Sequence, residues 1–214
     1  MIIWLASYPK SGNTWVRIFL STLIYSKNNI VNFEDLSKIR TFPKIRDFNG
    51  LCENVQDRDE LIQKWITAQE VLNLNTDIKI FKTHNVMCNI KGHNFSNLEN
   101  SLGVIYVVRD PRNVLSSIMN HFSISDQNEA KNFIQNDYNW IGLTKNGATK
   151  VTEIPIYIGS WGFHYNSWKV LPKNYLLIKY EDLLNDPEKE FFKIYEFITK
   201  FIKIDKDKKI VKKI

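Results

Sequence analysis

The stretch "IIWLASYPKSGNTW", residues Ile2 to Trp15, joins a short apolar run to a loop that carries a lysine, a glycine and hydroxyl side chains. The apolar part, Ile2 to Ala6, has no basic segment before it and is too short to cross a bilayer. It therefore predicts a buried β-strand. Pro9 ends that strand, and Gly12 permits a close approach of the backbone to a ligand.

The same arrangement of a strand followed by a helix recurs along the chain. Three more apolar runs predict strands: Ile78 to Phe81, Val104 to Val108, and Tyr175 to Ile178. Three helical stripes lie between or after them: Val16, Phe19, Leu20, Leu23 and Ile24; Leu115, Ile118, Met119 and Phe122; and Phe191, Ile194, Tyr195 and Ile198, which follow a helix start at Asp186-Pro187. The alternation predicts a single α/β domain over residues 1–214, a three-layer α/β/α sandwich with a central, mostly parallel sheet.

Two regions and the last residues fit this scheme less well. Residues 26–75 carry one helical stripe, Leu61, Trp65, Ala68 and Leu72, and residues 123–158 show no clear period. Both regions are expected to be insertions over the sheet. Lys206 to Ile214 begins a helical pattern that no glycine, asparagine or proline stops.

Composition narrows the class of protein. The chain has 214 residues, 43% of them hydrophobic, and a formal net charge of +6, which favours an anionic partner. A nucleotide satisfies that charge as well as a nucleic acid does. Cys52 and Cys88 form no metal-ligand spacing and no disulfide framework, which predicts a reduced, cytoplasmic setting.

The loop after the first strand is a candidate anion site. Ser11, Asn13 and Thr14 stand where a helix begins with unpaired N–H groups, and Lys10 adds a positive charge. The pattern is not a Walker A loop, because its lysine precedes the glycine, so ATP with magnesium is disfavoured. An ordinary strand-to-helix turn is the alternative interpretation.

"SYPKSGNTW" resembles the 5′-phosphosulfate loop of the cytosolic-type sulfotransferases, which use 3′-phosphoadenosine-5′-phosphosulfate (PAPS) and have a P-loop NTPase-like fold. "YVVRDPRNVLSSIMNHF", Tyr106 to Phe122, resembles the 3′-phosphate motif of that family. The resemblance implies that Arg109 and Ser117 hold the 3′-phosphate. An arginine at a strand end can bind a phosphate in any family, although a surface arginine beside a turn is the alternative.

A third segment, "IKIFKTHNV", places Lys82 and His84 on the same face at the end of a strand. It resembles the Lys-Thr-His segment of the family, which implies that His84 is the catalytic base and Lys82 a companion cation. Asn85-Val86 stands where many members have Leu-Pro, which leaves the acceptor preference open.

Two supporting segments, "GSWGFHYNSW" and "LLIKYEDLLNDP", resemble the Gly-Ser-Trp and Tyr-Glu-Asp segments of the family in the same order along the chain. By this resemblance, Trp15 and Tyr180 line the adenine pocket, whereas residue chemistry alone allows both to be core aromatics. His121 and His164 are expected to be packed structural residues.

The resemblance implies transfer of a sulfuryl group from PAPS to a hydroxyl or amine of a small molecule, with 3′,5′-adenosine bisphosphate (PAP) as product and no metal. Lys10 and Lys82 would stabilise the leaving phosphate; neither nucleic acid nor a membrane span is expected. The alternatives are a non-catalytic nucleotide-binding remnant and a P-loop kinase-like protein.

No segment matches the family's C-terminal Arg-Lys-Gly motif, so a missing lid is expected. Four aromatics of the irregular regions could line the acceptor cavity or pack in the core: Phe42, Phe48, Tyr138 and Trp140.

Overall fold

A five-stranded parallel sheet forms the centre of the computed structural model, which describes residues 1–143, 153–170, 174–204 and 210–211. The strands are β1 Ile2–Ser7, β2 Arg40–Thr41, β3 Lys79–Thr83, β4 Asn89–Ile90, β5 His93–Asn94, β6 Ser101–Val108, β7 Trp140–Ile141, β8 Ile156–Tyr157 and β9 Tyr175–Lys179. The central sheet has the order β2-β3-β1-β6-β9, and β4-β5 and β7-β8 are two small antiparallel pairs.

Helices cover both faces of the sheet. They are α1 Asn13–Tyr25, α2 Phe33–Lys38, α3 Arg58–Asn73, α4 Pro111–Phe122, α5 Gln127–Gln135, α6 Trp161–Ser167, α7 Tyr180–Asn185 and α8 Pro187–Ile198, with 3₁₀ turns at Ile45–Phe48 and Trp168–Val170. None of the helices in the described ranges is both long enough and apolar enough to cross a bilayer.

Alternation along β1 divides the core into two layers. Ile3 and Leu5 pack with α1 and α8 on one face, whereas Trp4 packs with the α3 side chain Trp65 in the cluster on the other face. All of β1 is buried, as expected for a parallel strand that is covered on both sides. The predicted three-layer α/β/α architecture is therefore confirmed, together with its four predicted strands.

Two details differ from the sequence-based prediction. The edge strand β2 was not predicted, because two residues are too few to show a period. In α4, Val114 and Ile118 are buried, but Phe122 is 40% exposed, so its place in the predicted stripe was wrong. Phe122 instead packs at the end of the helix against Phe133 of α5, with ring centroids 5.2 Å apart.

The predicted C-terminal pattern, Lys206 to Ile214, lies outside the described residues except at positions 210 and 211. Ile210 and Val211 are buried in the core layer that contains α1 and α8. Residues 144–152 of the second irregular region also lie outside the described ranges.

Candidate functional site

The loop between β1 and α1 has a backbone conformation suited to an anion. Lys10 and Gly12 both have positive φ angles, 66° and 97°, and Gly12 caps α1 without a side-chain hydrogen bond. The N–H groups of Asn13 and Thr14 therefore have no partner within the described ranges and lie at the positive end of the helix dipole, whereas the Trp15 N–H donates to the Gly12 main-chain oxygen at 3.1 Å. Ser11 Oγ is buried and has no hydrogen-bond partner within the described residues, so a phosphate oxygen would satisfy it.

Asn13 and Thr14 differ in their surroundings. Asn13 Nδ2 donates to the Leu5 main-chain oxygen at 3.2 Å and to Ser7 Oγ at 3.1 Å, which ties the loop to β1. The Asn13 side-chain amide therefore fixes the shape of the loop. The backbone N–H groups at the N-terminus of α1 are left to donate to a ligand. Thr14 is exposed at the first turn of α1.

Tyr180 covers the loop from the side. A Cβ atom on Gly12 would lie 2.4 Å from Tyr180 Cδ2, so glycine is required there by both its φ angle and this contact. The Arg109 guanidinium carbon lies 4.5 Å from the centroid of the Tyr180 ring, and Trp15 meets the same ring edge-on at 6.4 Å. The chain thus brings Trp15, Tyr180 and Arg109, which are distant in sequence, to the side of one loop.

Arg109 follows β6 directly and is held by contacts from three segments. Its Nη1 donates to the Lys10 main-chain oxygen at 3.2 Å, and its own main-chain oxygen accepts from Trp161 Nε1 at 3.2 Å. Glu181 Oε1 accepts from the next backbone N–H, that of Asp110, at 3.0 Å. Arg109 Nε is buried and has no partner within the described part of the chain, so the guanidinium keeps a donor for an anion.

Ser117 lies in α4, two turns after Arg109, and is partly buried. Its hydroxyl has no hydrogen-bond partner among the described residues, and none joins it to Arg109. The structure therefore places both residues of the predicted 3′-phosphate pair on the segment that follows β6.

His84 follows β3, and its tautomer is fixed by β1. Its Nδ1 lies 2.7 Å from the main-chain oxygen of Ser7, and because a carbonyl can only accept, Nδ1 carries the proton. Burial, reinforced by the positive charge of Lys82, holds the pKa of His84 well below its ordinary value. The ring is therefore neutral near pH 7, with Nε2 available to accept a proton.

The main chain of His84 is fixed by a second histidine. His164 Nε2 donates to the His84 main-chain oxygen at 3.0 Å, and Tyr106 donates its hydroxyl proton to His164 Nδ1 at 2.8 Å. Burial lowers the pKa of His164 to about 4, so it is neutral. His164 is thus a buried structural residue, as predicted, whereas the predicted packing of His121 was wrong, because the exposed last turn of α4 carries it.

Two lysines near the loop have no ion-pair partner among the residues that the structure describes. They are Lys10 and Lys82. Burial, together with the charges of Arg17, Lys44 and Lys10, lowers the pKa of Lys82 to about 8. The charges of Lys10 and Lys82 are therefore not paired with a carboxylate in the described part of the chain, which is the electrostatic condition that a bound polyanion would relieve.

A cavity of about 560 Å³ opens beside Lys82. Thr41, one of its lining residues, pairs in register with Lys82 across β2 and β3. We call it the basic cavity because four of its lining side chains are cationic: Arg17, Arg40, Lys44 and Arg46. The sequence analysis did not find this group, since its members are scattered over 30 residues of a region without a family motif.

The four aromatics considered for an acceptor cavity separate into two pairs. Phe42 and Phe48 are fully buried in the core, so for them the packing interpretation is correct. Tyr138 and Trp140 line a second cavity of about 740 Å³, which also contains Asp57, Arg58 and Lys91.

The sequence analysis also missed the contacts that position the site. Trp161, His164 and Glu181 lie in the supporting segments, but only the structure shows what they hold: the carbonyl of Arg109, the carbonyl of His84 and the N–H of Asp110. As for metals, no group of three or more His, Cys, Asp or Glu side chains in the described ranges has a metal-binding arrangement.

Comparisons with known proteins bear on this site. A family model described as a sulfotransferase domain matches residues 2–214. Among curated proteins, the 3-beta-hydroxysteroid sulfotransferase of Cavia porcellus is 28% identical over 92% of this chain and 58% of its own length. Sulfotransferase 1 family member D1 of Mus musculus is 27% identical over 94% of this chain and 59% of its own length. The chain thus spans about three fifths of the length of these relatives.

Solved structures show the same fold. Mouse sulfotransferase SULT7A1, complexed with PAP, aligns with a TM-score of 0.55 at 18% identity, over 99% of this chain and 62% of its own. Retinol dehydratase, in a complex with retinol and PAP, aligns with a TM-score of 0.56 at 18% identity and the same coverage.

Proposed function

The chain belongs to the sulfotransferase domain family, and on this premise we propose that it transfers the sulfuryl group of PAPS to a hydroxyl or amine of a small-molecule acceptor. The observation that carries the proposal is the hydrogen bond from His84 Nδ1 to the Ser7 carbonyl, which leaves a neutral Nε2 as a base. That base follows β3, which pairs directly with β1. We call the loop between β1 and α1, which β1 leads into, the anion loop.

In this proposal the loop holds the 5′ end of the nucleotide. The open N–H groups at the start of α1, including those of Asn13 and Thr14, donate to the phosphosulfate oxygens. Ser11 Oγ, buried without a partner in the described chain, adds a donor, and Lys10 adds a charge. Gly12 lets the ligand approach the backbone.

The 3′ end of the nucleotide is assigned to the turn after β6. Arg109 keeps a buried Nε donor, and Ser117 offers a hydroxyl from α4. Trp15 and Tyr180 present aromatic rings between this turn and the loop, where the adenine would stack. The structural neighbours named above were solved with PAP, which supports this assignment.

PAPS supplies a sulfuryl group that is bonded through a bridging oxygen to its 5′-phosphate. As the acceptor oxygen or nitrogen forms a bond to sulfur, the bond from sulfur to the bridging oxygen breaks and PAP departs. His84 Nε2 takes the acceptor proton, a role typically worth about 10² to 10⁴ in rate. Lys10 and Lys82 stabilise the charge that returns to the bridging oxygen.

A small-molecule acceptor is supported by the fold neighbours. Retinol dehydratase has been solved with retinol and with androsterone. The two cavities of this chain, about 560 and 740 Å³, have the volume that such molecules require.

The test combines nucleotide binding with transfer. Calorimetric titration with PAP, PAPS and ATP-Mg²⁺ is expected to show binding of PAP and PAPS, and radiolabelled PAPS is expected to label an acceptor from a panel of phenols, alcohols and amines. Selective binding of ATP-Mg²⁺ would establish the kinase-like alternative. PAP binding without transfer to any acceptor would instead favour a nucleotide-binding protein.

A further inference from the structure

We propose that the basic cavity binds an anionic group of the acceptor, so that the preferred acceptor carries a carboxylate or phosphate in addition to the hydroxyl or amine that is sulfated. This inference rests on the proposed function, because it assigns the acceptor class of that same site. The residues that carry it are those of the basic cavity, and none of them belongs to the loop or to the turn after β6.

The position of the cavity makes it an acceptor site. Thr41 of its wall pairs in register with Lys82, and the Phe42 N–H donates to the Lys82 main-chain oxygen at 2.9 Å. Adjacent strands of a sheet lie about 5 Å apart, so this wall is one strand away from Lys82. His84 is two residues further along the chain from Lys82, which places the cavity on the side of the sheet end where the base lies.

Both irregular regions contribute to the cavity wall. Arg40 to Arg46 come from the first region, and Glu153 and Ile154 come from the second. Regions that pack over the end of a sheet commonly form the substrate site of an α/β protein, since ligands bind where parallel strands end. Apart from Arg17, which α1 carries, the cavity is therefore built from parts of the chain that are not needed to hold the nucleotide.

The charges in the wall do not cancel. Four side chains are cationic, and Glu153 is the carboxylate among the lining residues. Arg40 is paired with the buried carboxylate of Asp47, so its charge is largely compensated. Lys44 and Arg46 are exposed and have no ion-pair partner among the described residues.

Arg17 is fixed in place without being neutralised. Its Nε donates to the Ile39 main-chain oxygen at 2.8 Å, and its Nη2 donates to the Leu36 main-chain oxygen at 3.0 Å. Neutral carbonyls orient the guanidinium but leave its charge, and Nη1 stays without a partner among the described residues. A preorganised guanidinium with a free donor is suited to a carboxylate or phosphate oxygen.

The positive charges of the basic cavity act on Lys82, one of the proposed catalytic residues. The charges of Arg17 and Lys44 both lower the pKa of Lys82, so the three cations are close enough to repel one another. The groups of opposite sign near them are Glu153 in the wall and Asp47, which is bound to Arg40. An anion in the cavity would relieve this repulsion, whereas a neutral or cationic acceptor would not.

The test compares acceptors that share a phenol and differ in whether they also carry an anionic group, with transfer measured at the phenol oxygen. One pair is 3-(4-hydroxyphenyl)propionate and its amide; the other is 4-hydroxyphenethyl phosphate and 4-hydroxyphenethyl alcohol. In the wild type, kcat/KM is expected to be about tenfold higher for each anion than for its neutral partner. The larger of the two ratios identifies the carboxylate or the phosphate as the preferred group.

The variant that weakens the field is Lys44→Ala/Arg46→Ala, because both side chains are exposed. It is expected to reduce both ratios, with the remaining preference carried by Arg17, while the affinity for PAP stays unchanged. The matched control is Lys131→Ala/Lys189→Ala, which removes two exposed lysines that do not line the cavity and should keep the wild-type ratios. A ratio near one in the wild type overturns the inference. A loss of PAP affinity in the cavity variant that equals its loss of kcat/KM for the anionic acceptors overturns it as well.

Failure of the inference can be told apart from failure of the proposed function. Turnover of neutral and anionic phenols at equal rates leaves a sulfotransferase without anion preference. If no phenol is turned over, the inference is tested by calorimetry on the PAP-saturated protein, with the two anions and their neutral partners as ligands. Saturation blocks the nucleotide site, so tighter binding of the anions that is weakened in the cavity variant supports the inference, and no anion binding overturns it. If PAP does not bind, the proposed function fails. The same titration on the free protein then shows whether the basic cavity binds an anion.

Discussion

His84 Nδ1 lies 2.7 Å from the main-chain oxygen of Ser7, so the strand that leads into the anion loop also fixes the tautomer of the proposed base. The two residues are 77 positions apart in sequence and meet because β1 and β3 are neighbours in the parallel sheet. One backbone carbonyl therefore links the proposed nucleotide site to the proposed proton acceptor. This geometry is the basis of the first two predictions.

Replacing His84 by alanine is expected to reduce kcat by about 10² to 10⁴, because no other group in the proposal accepts the proton. The affinity for PAP, measured by calorimetry, should stay close to the wild-type value. His93→Ala serves as the control, since His93 lies in the β4-β5 hairpin and should not affect turnover. Equal losses of turnover and PAP affinity would show that His84 supports the nucleotide and not the proton transfer.

The pH dependence of kcat/KM for PAPS should be bell-shaped. The acid limb should lie well below pH 6.5, because burial and Lys82 lower the pKa of His84 and the base stays neutral down to that range. The alkaline limb should lie near pH 8, where Lys82 loses its proton in the free protein.

Lys82→Arg is the matched variant for the alkaline limb, since arginine keeps its charge at that pH. It should move the alkaline limb upward and leave the acid limb in place. An unchanged alkaline limb in this variant would assign that titration to another group.

Arg109→Ala should weaken binding of PAP by about 10- to 100-fold, the usual cost of losing a hydrogen bond to a charged group. Adenosine 5′-phosphosulfate, which lacks the 3′-phosphate, should be affected far less. The control is Arg112→Ala, because that neighbouring arginine is exposed and paired with Asp110. A similar loss for both nucleotides would remove Arg109 from the proposed 3′-phosphate site.

Gly12→Ala is expected to destabilise the fold by about 1 to 3 kcal/mol and to weaken PAP binding, because the new Cβ would meet the Tyr180 ring at 2.4 Å and φ is positive. Urea denaturation and calorimetry measure the two effects. Gly162→Ala is the control, since a Cβ there meets nothing within 4 Å in α6 and alanine favours a helix. Wild-type behaviour of Gly12→Ala would mean that the loop is not constrained as the structure shows.

Acid should destabilise the fold through His164. Its pKa is about 4 in the folded protein and near 6.5 when exposed, so between these values the unfolded chain binds the additional proton. Its stabilising contribution is therefore complete above about pH 6.5 and falls by about 1 kcal/mol per pH unit towards pH 4. Urea denaturation at several pH values measures this slope.

His164→Gln should reduce the slope, because glutamine does not titrate, and the part that remains is expected from His84, whose pKa is also lowered by burial. His121→Gln should leave the slope unchanged, since His121 is exposed. The two variants differ in the burial of the replaced ring. An unchanged slope in His164→Gln would assign the acid sensitivity to other groups.

The sequence by itself determined the α/β architecture and the candidate loop. Apolar runs such as Ile2 to Ala6 and stripes such as Phe191 to Ile198 predict elements correctly because burial on both faces of a sheet leaves a local pattern. The candidate anion loop is equally local, since the residues that shape it are consecutive. The order of the central strands and the edge strand β2 left no such pattern.

Only the tertiary structure decided how the site is assembled. The tautomer of His84, the stacking of Arg109 on Tyr180 and the placement of Arg17 with Lys44 and Arg46 around one cavity all depend on contacts between distant segments. Propensity and periodicity describe neighbours along the chain, whereas these contacts follow from strand order and from how the irregular regions pack over the sheet. The identity of the proposed base could therefore be inferred from a motif, but its protonation state and the charge of its surroundings required the fold.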